Sequence, residues 1–218
     1  MRTQGPSDVA DSHLGADREF ALIHTPARLR NAFLALWRLD VAMGDVVARS
    51  TEPALAAIKL AWWRERLDEL AAKVPAEPRL KFAAEALLPR GVTGAQLAAI
   101  EPGWATLLDA EPDPALVAER GRVLFAIGSQ LLQSNADVSD AGALYALAAV
   151  GRRGMPQLFI PARELLPRLA GRRFPRQLRP LTMLARAAAR DLRDEVEPEG
   201  SPARLTAMLG HRWSGRIA

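Results

Sequence analysis

From about Pro26 onward the apolar residues of this chain recur at helical intervals, and strand-like runs are confined to "QLFI" at 157–160. The clearest case is "LAWWRERLDEL". Its Leu60, Trp63, Leu67 and Leu70 repeat at steps of three, four and three, so they share one helix face. Trp62 lies about 100° round from Trp63, in line with Leu55 and Ile58. The apolar face therefore reads as unusually wide, packed against several neighbours. Glu65, Arg66, Asp68 and Glu69 fall on the wet side, with Arg64 at the edge.

Proline and capping residues punctuate the rest. A long helix is predicted from about Pro26 to Arg49, with Phe33, Leu36, Trp37, Val41 and Met43 or Gly44 as its stripe. Ser50 or Thr51 caps the next, which has Pro53 in its first turn and runs to about Lys73. A shorter helix covers Pro78 to Leu88, and "TGAQ" at 93–96 has capping-box spacing for a helix that Pro102 must interrupt. Asp113 and Pro114 open another, carrying Leu116, Val117, Leu124, Ile127, Leu131 and Leu132. Helical segments near 139–152, 161–169, 176–194 and 202–209 follow, the last capped by Ser201. Residues 1–16 read as a flexible tail and 17–218 as one all-α domain, a length that can bury a full core.

Composition closes off several chemistries. With no cysteine, disulfides, thiolate zinc sites and cysteine nucleophiles are excluded, and the three histidines show no metal-ligand spacing. No run approaches the roughly 18 uncharged apolar residues of a spanning helix. The N-terminal stretch has no apolar signal core, so a cytoplasmic location is expected. The net charge of +4 hides an asymmetry: residues 151–218 carry 14 arginines against 6 acidic residues. Solvated helix faces are the plainer reading, and a surface for an anionic partner the sharper one. Nucleic acid is not expected, because there is no reading module and no interleaving of aromatic with basic residues.

"NAFLALWRLDVAMGDVV" followed by "EPALAAIKLAWWRERLDEL" resembles the opening of the squalene/phytoene synthase family, and "DAGALYALAAVGRRGMPQLFIP" resembles its later glycine-led helix and turn. The resemblance runs from about Arg30 to Pro161 and implies a single-domain helical bundle of the isoprenoid synthase type. Enzymes of that family hold magnesium against a diphosphate leaving group with two aspartate-rich motifs, because metal ions neutralise the charge that develops on the departing diphosphate. At the aligned positions of the first motif stand Val41, Ala42 and Asp45, with Asp40 one place early. Asp40 and Asp45 are about 140° apart around a helix and cannot share a metal. In the second motif Gly142, Leu147 and Arg152 remain. Ala146, Ala149 and Arg153 stand for the glutamine, asparagine and aspartate.

The sequence resembles the branch with eroded aspartates, which includes a respiratory complex I assembly factor, more than it resembles the synthases. It implies a non-catalytic accessory protein that binds a protein partner, a lipid or an anion, with room for peripheral contact at the inner membrane face. The alternative is a divergent prenyltransferase acting on isoprenoid diphosphates. No catalytic or metal residues are assigned, and no cofactor is expected; magnesium enters only with the enzyme alternative. The candidate pocket or anion-binding set is Arg30, Arg38, Asp40, Asp45, Trp62, Arg64, Tyr145, Arg152 and Arg153. Arginine suits that role because its fork matches phosphate oxygens. Taken singly, Tyr145 reads as an interhelical packing residue, and Asp40 and Asp45 as partners of Arg38 or of a neighbouring helix. The acidic run Asp191, Asp194, Glu195, Glu197 and Glu199 reads as a solvated helix end and loop.

Overall fold

The computed structural model describes residues 13–217 apart from Val74 and Asp194. Prolines open many of its helices, where their missing N–H goes unmissed. After α1 (Ala16–Ile23) and α2 (Arg30–Ala48), Pro53 starts α3 (Pro53–Asp68) and Pro78 starts α4 (Pro78–Leu87). The predicted capping box opens α5 (Gly94–Ala98), with Thr93 and Gln96 bonding each other's backbone N–H. Pro102 ends that run and begins the short α6 (Pro102–Ala105), and Asp113 caps α7 (Pro114–Leu131). Then come α8 (Ser139–Gly151), α9 (Phe159–Glu164), α10 (Leu166–Leu169), α11 (Arg179–Asp191) and α12 (Pro202–Ser214). The fold is all-α, with no strand among the described residues. No helix among them is long and apolar enough to cross a membrane.

Several local expectations need correction. The "QLFI" stretch is helical, with Phe159 opening α9. Glu52, not Ser50 or Thr51, holds the N-cap position of α3; Ser50 instead accepts a hydrogen bond from the Glu52 N–H in the turn before it. The last helix reaches Ser214 and includes His211, which is buried. The packed chain also begins ahead of residue 17: Leu14 is buried and α1 opens at Ala16. The rest of the expected tail, residues 1–12, lies outside the described residues.

Helix α8 is apolar nearly all round, the mark of a helix enclosed by others. It packs on α7, α9, α10 and α11. It meets α7 backbone to backbone: a Cβ at Gly121 would strike the Gly142 carbonyl, and one at Gly142 the Gly121 carbonyl. Helix α2 packs on α1, α3, α4, α6 and α7, so its inward stripe looks into the middle of the bundle. One continuous buried cluster runs from Leu14 to Ile217.

The wide apolar face expected of α3 is not covered. Ala56, Leu60, Trp63 and Leu67 are buried, whereas Leu55, Ile58 and Trp62 are 45%, 67% and 42% exposed. Helix α3 lies at an edge, against α2, α5 and α6, so only one stripe finds neighbours. The two indoles meet edge to face, 5.5 Å between ring centres: Trp63 anchors the helix and Trp62 overhangs solvent.

Candidate functional site

Along α2, Phe33, Leu36, Trp37, Asp40, Met43 and Gly44 form one buried helical stripe. Asp40 therefore occupies a core slot and is wholly buried. A carboxylate there is costly unless paired and hydrogen-bonded, and three other helices supply the partners. The Trp104 indole N–H of α6 (2.8 Å) and Arg120 Nη1 of α7 (3.0 Å) donate to Asp40 Oδ1. Arg18 Nη2 of α1 donates to Oδ2, while Arg18 Nε donates to the Tyr145 hydroxyl of α8. The Arg120 guanidinium sits over the Trp104 ring, 3.8 Å from Cζ to the ring centre. Burial pushes the Asp40 carboxyl up, but Arg120, Arg18 and the donated hydrogen bonds outweigh it and hold the carboxyl below its ordinary range. Burial presses Arg120 down, and the neighbouring Arg18 and Arg153 cations add to it against the pull of Asp40.

Gly44 makes this arrangement possible. A Cβ there would come within 2.7 Å of Trp104 Cη2, so only glycine lets the indole cross α2 and reach Asp40. Gly44→Ala is expected to lower stability by about 1–3 kcal/mol, the usual cost of overpacking a filled core. Thermal unfolding of the purified variant measures it; an unchanged midpoint would show that Trp104 has room to shift.

A second buried network lies beside the first. Arg204 of α12 donates through Nε (2.9 Å) and Nη2 (2.6 Å) to Asp17 Oδ2, and through Nη1 to Asp191 Oδ1. Arg152 Nη1 also donates to Asp191 Oδ1 (2.8 Å), and Arg152 Nη2 donates to the Glu197 carbonyl (2.6 Å). Asp191 is thus not a solvated helix end. It is buried because α11 turns it toward α12; Glu197 meets Arg190 and Ser201, and Asp194 lies outside the described residues.

Between the two networks remains a cavity of about 30 Å³, edged by Arg18, Trp104, Arg120, Tyr145, Arg152 and Arg153. That is space for about two water molecules, and a diphosphate is several times larger. Arg120 Nε, buried at this cavity, has no hydrogen-bond partner among the described residues.

The candidate residues are only partly brought together. Tyr145, Arg152 and Arg153 reach the cavity and Asp40 lies behind it. Tyr145 is an interhelical packing residue, as read, between Trp37 and Phe125 with its hydroxyl held by Arg18. Asp40 pairs with neighbouring helices rather than with Arg38, which lies over the Phe82 ring. Asp45 sits toward the surface beside Arg49 at 3.3 Å. Arg30 caps the end of α1 through the Ile23 and Thr25 carbonyls, and Arg64 lies 3.7 Å from Glu101. Arg153 is exposed, 6.0 Å from the Trp104 ring. Trp62 faces solvent on α3. Four residues that build the centre, Arg18, Trp104, Arg120 and Arg204, were not picked out from the sequence.

These side chains do not fit a magnesium–diphosphate centre. Both Asp40 oxygens are taken by cationic or indole donors, Asp45 stands apart, and no group of three or more acidic or histidine side chains among the described residues could hold a metal ion. Compared with family models, with curated proteins and with solved structures, the chain matches none.

Proposed function

We propose that this chain is a non-catalytic accessory protein on a squalene/phytoene synthase-like helical scaffold, akin to the branch that includes the complex I assembly factor, and that it works by binding. One observation carries the reading. Asp40, the carboxylate nearest the first motif's place on an inward helix face, spends both oxygens on Arg18, Arg120 and Trp104. A carboxylate that ligates magnesium must offer a lone pair to the ion. This one is the anchor of a packed ionic core, and the space beside it is too small for an isoprenoid diphosphate. Such a core holds helices in register and leaves the exterior for recognition.

The test is direct. Incubation with farnesyl or geranylgeranyl diphosphate and magnesium is expected to release no diphosphate above background. Magnesium-dependent turnover that disappears in Asp45→Ala would replace this reading with a divergent prenyltransferase.

A further inference from the structure

A groove of about 800 Å³ opens between the residues after α1 and the C-terminal helix α12, with Arg28, Arg176, Arg179 and Arg212, His24 and Trp213 around it. No carboxylate is among the described residues that line it. The arginines divide into two kinds. Arg179 is buried, and its guanidinium donates to the Phe174, Arg212 and Trp213 carbonyls, which fixes the end of α12 and so the position of Trp213. Arg28, Arg176 and Arg212 have no ion pair with any described residue. Their charge is uncompensated: besides burial, Arg173, Arg176 and Arg212 press the Arg179 guanidinium below its usual value. Burial and Arg212 do the same to His24, which is neutral near pH 7.

The rim is apolar as well as basic. Trp213, which lines the groove, is 73% exposed, and Leu29, Leu132 and Leu209 line it as well. An isolated exposed apolar side chain needs no explanation. An exposed indole on an anchored helix end, beside three guanidinium groups without an ion pair among the described residues, is a different matter, because it matches a surface that is anionic outside and apolar just beneath. Indole rings favour the headgroup level of a bilayer, and basic side chains are drawn to anionic headgroups. A small soluble phosphate would use the arginines but leave Trp213 in water. A single-stranded nucleic acid would call for several aromatic platforms, and among the described residues Trp213 alone supplies a large one at the groove.

We propose that this groove docks the chain on an anionic phospholipid surface, with Arg28, Arg176 and Arg212 on the phosphates and Trp213 at headgroup depth. The proposal is independent of whether the interior is catalytic, so its test and the diphosphate-release test can fail separately.

Flotation of the full chain with vesicles supplies the test. Binding is expected to phosphatidylglycerol–phosphatidylcholine vesicles and not to phosphatidylcholine alone, and it should weaken as salt screens the arginines. Arg176→Glu with Arg212→Glu should reduce partitioning about tenfold or more, at an unchanged melting temperature, because neither side chain is paired in the fold. Trp213→Ala should weaken binding several-fold and keep its salt dependence. Equal binding to neutral vesicles overturns the proposal, as does full binding by the charge-reversed pair. Displacement by soluble glycerol phosphate would assign the groove to a free phosphate ester, and tighter binding to single-stranded RNA would assign it to nucleic acid; either outcome overturns the membrane reading.

Discussion

Asp40→Ala is expected to destabilise the fold by about 3–5 kcal/mol, because it strands Arg18 and Arg120 as buried cations without their anion. Domains of this kind are stable by only about 5–15 kcal/mol, so the variant should stand near the threshold of folding. The loss falls on five elements at once, since α1, α2, α6, α7 and α8 meet at this carboxylate directly or through Arg18. Chemical denaturation gives the number, and a loss below about 1 kcal/mol would mean that solvent reaches and relieves the two guanidinium groups. Acid supplies a second reading. The Asp40 carboxyl is depressed in the fold. Its contribution is therefore complete above the unfolded aspartate pKa of about 3.9 and is lost as pH falls through the still lower folded value. Asp40→Asn should remove that component and flatten the stability profile at the acid end.

The helices were legible because their signals are local. Prolines in first turns, the Thr93–Gln96 box and the Ser201 cap each act within a few residues, and each marks a helix start in the structure. The burial of Trp63 follows from its neighbours on the same stripe. The solvent-facing Leu55, Ile58 and Trp62 could not be foreseen in the same way. Apolar spacing says which residues share a face, not whether another helix arrives to cover it.

The centre was harder to see because its partners are distant in sequence. Asp40 bonds residues 22, 64 and 80 positions away. A local signal does exist, and it is a charge on a buried stripe. Arg120 stands between Val117 and Leu124, and Arg18 between Leu14 and Ala21, each at steps of three and four. Arg204 likewise precedes Met208 and His211 on the inward face of α12. Each is a charged side chain where the helical period calls for an apolar one, so a buried counter-charge elsewhere in the chain is required. The arginines of the candidate anion-binding set, by contrast, lie near the motifs that carry the resemblance and off any buried stripe pattern of their own. Arg30 and Arg152 turn out to hold carbonyls and a carboxylate of their own chain.

Arg204→Ala is expected to match Asp40→Ala in size and exceed Arg152→Ala, although both arginines bond Asp191. Removing Arg152 leaves Asp191 its bond to Arg204 and costs one charged hydrogen bond together with a carbonyl contact, about 1–3 kcal/mol. Removing Arg204 leaves buried Asp17 without its cation, reduced to the Gly200 N–H, and leaves Asp191 with Arg152 alone, so the loss should reach about 3–5 kcal/mol. The damage should also be placed differently. Arg204 joins α12 to α1 through Asp17, and α1 is the helix that inserts Arg18 against Asp40 and Tyr145. Weakening that latch frees α1 before the rest of the bundle, so amide exchange in Ala16–Ile23 should accelerate well ahead of α7 and α8. In Arg152→Ala, α1 should keep its protection. Equal exchange of α1 in the two variants would show that α1 is held by its apolar contacts with α2 and α11, and that Arg204 serves only to neutralise charge.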